Sequence, residues 1–278
     1  MKSIAVVITT YNNPRSLELC LSSLKNQTDT LFEVMIADDG SGDETRDLVL
    51  RMKRECQFPI THFWHPDLGY RKAKINNRVF SQIDENRFSV MICIDHDVVL
   101  HHRFIEDHRL EHEKVNGEPL LFMGRRVDLG PELTAKLNPE NILKFNQGLG
   151  LDLIQSAIQG ETKNILRSIR LDLPNWLKKI TKRDRVYDLL GSNFSVTLKV
   201  MKQVNGYNED YQSYWGEDGD LFVRIRNSGI KIKGTIGIAV QWHLHHQRLL
   251  ETPEHISQYQ KLLKNNDYRR CQNGIEKS

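Results

Sequence analysis

The chain has 278 residues, 39% of them apolar and 27% charged, with a formal net charge of +3 at pH 7. That is enough apolar material for a sizeable core in one elaborated domain or two small ones, and too little net charge for whole-surface attraction to nucleic acid or membranes. Four widely spaced cysteines, Cys20, Cys56, Cys93 and Cys271, lack the paired spacing of zinc sites and read as reduced thiols of a cytoplasmic protein.

The first apolar run, residues 4–8, is too short for a signal segment or a membrane span and reads as a strand. Thr9, Thr10, Tyr11, Asn12, Asn13 and Pro14 follow it, and the proline opens a helix carrying Leu17, Leu21 and Leu24. Residues 32–37 form a second strand that ends in Asp38, Asp39, Gly40 and Ser41 before a helix with Leu48, Val49 and Met52. A third strand spans 60–64, and Ile75, Val79 and Ile83 make the apolar stripe of the next helix. Alternating strands and helices predict an α/β fold with a mainly parallel sheet, whose ligands bind beyond the carboxyl ends of the strands.

The fourth strand, residues 88–94, stops at Asp95, His96 and Asp97 and then returns to apolar Val98, Val99 and Leu100. On a continued strand Asp95 and Asp97 point the same way and repel unless a cation lies between them, so the triplet reads as a site for magnesium or manganese and a diphosphate. Arg71 and Lys74, one helical turn apart, can meet that diphosphate or a ribose.

Residues 131–190 change character: leucine and isoleucine recur at helical intervals, and Lys163, Arg167, Arg170, Lys178, Lys179, Lys182, Arg183 and Arg185 gather in the second half. The expectation is a helical insertion with one basic face, suited to anionic lipid or to a charged or lipid-linked acceptor. Short strands and one helix are expected between residues 194 and 240, including a strand over 236–240, and a helical tail begins at Pro253. The chain therefore divides into a first α/β part (1–130), the insertion (131–190), a third part of short strands and helix (191–250) and a helical tail (251–278). In the third part Tyr214, Trp215 and Gly216 abut Glu217 and Asp218 at a helix start. Aromatic rings beside a carboxylate pair suit sugar stacking next to a general base, with Asp218 as the base and Glu217 as its neighbour in catalysis and acceptor binding.

Five motifs in order, 9–12, 38–41, 71–76, 95–97 and 215–218, make residues 3 to 247 resemble the family 2 glycosyltransferases of GT-A fold, with an end similar to galactosyltransferase-like members. The resemblance implies that residues 1–130 are a nucleotide-sugar-binding half and residues 191–250 an acceptor and catalytic-base half. It implies that Asp97 binds a divalent metal, Mn2+ or Mg2+, while Asp95 is directed at the donor. It implies too that Asp39 meets the nucleotide base, usually uracil, with Thr9 and Tyr11 lining the pocket. A late metal ligand is expected after a strand, where His243 and then His245 are the candidates, imidazole being a good ligand for manganese. The resulting expectation is an inverting, metal-dependent transferase using a UDP-sugar and a saccharide acceptor in polysaccharide or lipopolysaccharide synthesis. Two alternatives share the features: a sugar-phosphate nucleotidyltransferase, though residues 9–13 lack its glycine-rich loop, and a non-catalytic carbohydrate-binding or docking protein.

Overall fold

The computed structural model describes residues 2–186, 189–212, 215–247 and 252–277. Its first part alternates as the apolar periodicity predicts: β1 Ser3–Thr10, α1 Pro14–Ser23, β2 Phe32–Asp38, α2 Asp43–Glu55, β3 Ile60–Trp64, α3 Lys72–Phe80 and β4 Phe88–Asp95. Asn13 caps α1 by accepting from the Ser16 amide, with Pro14 in the first turn. Helix α2 opens on Asp43 and Glu44 and closes on Lys53 and Arg54, charges that suit its dipole.

β5 Val98–Leu100, α4 Phe104–Glu113, β6 Leu120–Met123 and β7 Arg126–Asp128 come next, followed by the short helices α5 Pro131–Lys136, α6 Ile142–Phe145, α7 Leu151–Ile158 and α8 Asn175–Ile180. The last part holds β8 Phe194–Val196, α9 Leu198–Val204, α10 Glu217–Asn227, β9 Lys231–Gly234, β10 Gln241–His243 and α11 Pro253–Lys264. Among the described residues two helices, not one, thus lie between residues 194 and 240.

Among the described residues a seven-stranded sheet runs in the order β3-β2-β1-β4-β8-β6-β9, parallel except where β8 pairs antiparallel with β4 and β6. It draws strands from both sides of the 131–190 segment. Strand β1 alternates perfectly between the two faces: Ile4, Val6 and Ile8 enter the core under α1, α2 and α4, while Ala5 and Val7 enter the core under α3, α9 and α10. Thr9 on β1 is level with both Ala37 on β2 and Asp95 on β4, so the polar ends of these strands open onto one crevice. There β1 has β2 on one side and β4 on the other, the topological switch where open α/β sheets bind ligands.

A second sheet, β5-β10-β7, anchors a third core in which Val99, Val127 and fully buried Trp242 meet Leu133, Leu137, Ile142 and Leu153 of the 131–190 segment. Trp242 also donates from its indole nitrogen to Ser168 Oγ at 2.9 Å. The strand expected over 236–240 is displaced to Gln241–His243, because Gly237 and Ala239 hold positive φ of 95° and 49° and bend the chain.

Of the basic residues expected on one face, Lys163, Lys179, Lys182 and Arg185 are exposed, whereas Lys178 is buried against Asp172 Oδ1 at 2.5 Å, Arg170 forks onto Asp107, and Arg167 donates to the Arg126 carbonyl at 3.1 Å. The segment also exposes apolar side chains: Ile158, Leu166, Trp176 and Ile180 are each more than 60% exposed.

Candidate active site

The loop after β2 is held from inside the fold. Asp38 accepts from His62 Nε2 and the Ser41 amide, both at 2.8 Å; these bonds outweigh its burial and hold its carboxyl below the ordinary value. Asp39 accepts from His65 Nε2 at 2.6 Å and from the Arg71 amide at 2.8 Å, yet its burial prevails and raises its carboxyl. Thr9 Oγ1 bonds to Asn76 of α3 at 3.2 Å. Tyr11, 47% exposed at the rim, donates to Asp67 Oδ2 at 2.9 Å. Thr9, Tyr11 and Asp39 therefore share the mouth of the crevice.

The Asp95 to Asp97 triplet is not a continued strand. β4 ends at Asp95, and His96 and Asp97 turn the chain into β5, so the alternation argument does not hold beyond Asp95. The two carboxylates part company: Asp95 Oδ1 lies 3.6 Å from Lys72 Nζ, while Asp97 Oδ2 lies 3.3 Å from His243 Nε2 and 3.0 Å from His246 Nε2. His96 faces neither group, its amide and ring Nδ1 both directed at the Thr9 carbonyl.

Asp97, His243 and His246 present three ligand atoms within 4.8 Å of one another. Asp97 Oδ1 is buried and, among the described residues, has no hydrogen-bond partner. An orphaned carboxylate oxygen beside two imidazoles is a donor set that fits a divalent transition metal. Burial opposes ionisation of Asp97, but the two histidines outweigh it and hold the carboxyl well below its usual range. Asp128 Oδ1 stands 3.9 Å from His243 Nδ1, on the other side of the ring.

His245 is not in this group, which corrects the second metal candidate. β10 ends at His243, level with Val98, and beyond the bond from the Leu244 amide to the Asp97 carbonyl the chain leaves the ladder, so side-chain alternation lapses. The His245 amide then bonds to Thr134 Oγ1, and its side chain is exposed while His246 turns in.

Arg71 and Lys74 also lie elsewhere than expected. The Arg71 guanidinium bonds to the Pro66 carbonyl, and Lys74 is on the exposed side of α3. The cation that enters the site is Lys72. Its ammonium lies 3.3 Å from Glu217 Oε1, 3.4 Å from Asp218 Oδ2 and 3.6 Å from Asp95 Oδ1. Burial disfavours the ammonium, yet these carboxylates raise its pKa well above the ordinary value.

Glu217 and Asp218 open α10. Glu217 is buried and accepts from the Tyr70 hydroxyl at 2.7 Å. Asp218 accepts from the Tyr207 hydroxyl at 2.9 Å, and a quarter of its side chain remains exposed. Burial, reinforced by Glu217 and Asp95 and opposed by Lys72 and Tyr207, pushes its carboxyl up to about 6. Gly191 makes room for it: a Cβ there would come within 2.1 Å of Asp218 Oδ2.

Trp215 and Gly216 both have positive φ, 125° and 106°, and a Cβ on Gly216 would meet the Tyr211 ring at 2.6 Å. The Trp215 ring stacks on His255 of α11 at 5.4 Å, so one of its faces is covered from within the chain. Tyr214 lies outside the described residues.

A family model described as glycosyl transferase family 2 matches residues 5–127, and one described as the N-terminal domain of galactosyltransferase matches residues 174–247. Residues 5–127 are a glycosyl transferase family 2 domain. That match sets aside the nucleotidyltransferase reading. The chain is 43% identical over 76 residues to validoxylamine A glucosyltransferase of Streptomyces hygroscopicus, a match covering 27% of this chain and 18% of that protein. It is 26% identical over 246 residues to chondroitin synthase of Pasteurella multocida, covering 81% of this chain and 23% of that protein. The chain thus spans about a fifth of the length of these curated relatives. Its fold is that of S. aureus TarS: a crystal structure of TarS 1–349 with UDP-GlcNAc aligns with a TM-score of 0.60 at 15% identity, over 96% of this chain and 66% of that one. No described helix is long and apolar enough to cross a membrane.

Proposed function

We propose that the chain transfers a sugar from a UDP-sugar to a hydroxyl of a saccharide acceptor, with inversion, in the assembly of a cell-surface polysaccharide or lipopolysaccharide. The observation that carries this reading is Asp218. It is a half-buried carboxylate, pushed up to about 6, at the start of α10 and bridged by Lys72 to the donor-side Asp95. A base of that strength is ionised at neutral pH and can still accept a hydroxyl proton at the transition state.

Asp39, Thr9 and Tyr11 line the pocket for the base, and Asp95 faces the ribose or sugar. Asp218 takes the acceptor proton as the acceptor oxygen bonds to the anomeric carbon and the bond to the diphosphate breaks, releasing UDP. Glu217, held by Tyr70, fixes the other side of the acceptor pocket with Trp215. Asp97, His243 and His246 would hold a divalent cation, Mn2+ or Mg2+, which offsets charge on the departing diphosphate. The names of the relatives support a saccharide acceptor, and the UDP-GlcNAc bound to TarS supports a UDP-sugar donor.

The exposed Ile158, Leu166, Trp176 and Ile180 suit contact with a lipid-linked acceptor or a membrane surface. Liposome co-sedimentation tests that contact, which acidic substitutions at these positions would abolish. The function itself is tested by incubating the protein with a panel of nucleotide sugars and measuring free nucleotide with manganese and with EDTA. Manganese-dependent release of UDP from a UDP-sugar is expected. Release of no nucleotide from any donor would favour the docking-protein alternative.

A further inference from the structure

Asp95, Glu217 and Asp218 converge from two distant parts of the chain, β4 and the start of α10, and one side chain joins them. Lys72 reaches all three carboxylates at 3.3 to 3.6 Å from the first turn of α3, with 12% of its own side chain exposed. Three anions around one ammonium leave two net negative charges in a confined space, an arrangement that holds only while the ammonium is present.

We propose that Lys72 is a positioning residue of the transfer reaction: it clamps the donor-side Asp95 to the Glu217–Asp218 pair and keeps Asp218 ionised as the base. This rests on the reading of Asp218 as the general base.

Among the described residues the groups facing Asp218 are Lys72 from α3, Tyr70 ahead of α3, Asp95 and Cys93 from β4, Tyr207 ahead of α10, and Glu217 beside it. Lys72 is the only cation among them. Asp95 and Glu217 raise the proton affinity of Asp218, Tyr207 lowers it by one hydrogen bond, and the Cys93 thiol, driven far up by burial, stays neutral. Removing the ammonium deletes the opposing charge and leaves both carboxylates, so the carboxyl must bind its proton more tightly. Each unit of that rise lowers the ionised fraction tenfold below the new midpoint.

The test compares the wild type with Lys72→Gln, Lys72→Arg and Asp218→Asn, in protein carrying 13C at the aspartate carboxyl carbons. The Asp218 resonance is assigned by its loss in Asp218→Asn and titrated by NMR, and the acid limb of kcat/KM is recorded alongside. The Asp218 midpoint should rise by at least one unit in Lys72→Gln, and the acid limb should move with it, costing at least about fivefold more activity at pH 6 than at pH 8. Lys72→Arg, which keeps the charge, should return both towards wild type. An Asp218 midpoint unmoved in Lys72→Gln overturns the proposal, since a merely structural lysine would lower melting temperature without moving that resonance. Wild-type turnover in Asp218→Asn would instead defeat the general-base reading, while the NMR midpoint still decides whether Lys72 governs Asp218.

Discussion

At the scale of single residues, the difference between Lys72 and Lys74 was already present in the sequence. Positions 72, 75, 76 and 79 recur at helical spacing, so Lys72 shares the face of buried Ile75, Asn76 and Val79 while Lys74 lies off it. The family motif drew attention to Arg71 and Lys74, but the apolar stripe identifies the cation that turns inward. His246 is a different case. Three histidines in four residues were visible, but the choice among them depends on where β10 loses its partner, which is a fact of tertiary structure. His246→Ala should weaken manganese binding at least as much as loss of an outer-shell partner does, about 10–100-fold, whereas His245→Ala should leave it unchanged. Titration calorimetry of the two variants with manganese separates them, and equal losses would contradict the assignment.

At the scale of elements, β1 to β4 were legible because each apolar run ends abruptly in a polar cluster. β6 was not, and of β8, β9 and β10 only the presence of short strands was legible and not their bounds, since strands of three or four residues are too short to show a period. The partners of Asp38, Glu217 and Asp218, namely His62, Tyr70 and Tyr207, come from other elements and leave no local signature. Two connections between elements hold the site. Gly191 lies against the Asp218 carboxylate, so Gly191→Ala should displace that group and cost about 10²-fold in turnover, the effect of a 1 Å misplacement, with an unchanged circular dichroism spectrum. Trp242 lies between His243 and the third core. Trp242→Ala should destabilise the fold by about 3–5 kcal/mol in denaturant unfolding and loosen the metal site with it, whereas a loss below 1 kcal/mol would mean the third core does not depend on it.

At the scale of the whole molecule, the core under α4 carries imidazoles that burial keeps neutral. Burial pushes His108 down to about 3 and His112 down to about 4, and the two rings face Ser195 Oγ at 2.8 and 2.9 Å. Their folded pKa values lie below the unfolded value of about 6.5, so the unfolded chain binds more protons in between. The stability they contribute is complete above about 6.5 and is lost as pH falls towards 4 and then 3. In His108→Gln the slope of unfolding free energy against pH between 4 and 6 should fall by about one proton, and an unchanged slope would place the acid sensitivity elsewhere. The same sheet that buries these rings aligns the crevice on which the account rests, with donor-side residues on β1, β2 and β4 and the base at the start of α10. The most direct test of that arrangement is UDP release from the best UDP-sugar by wild type and Asp218→Asn, with UDP affinity measured in parallel. The account predicts a loss of about 10²–10⁴-fold in turnover with UDP affinity unchanged, and wild-type turnover in Asp218→Asn would contradict it.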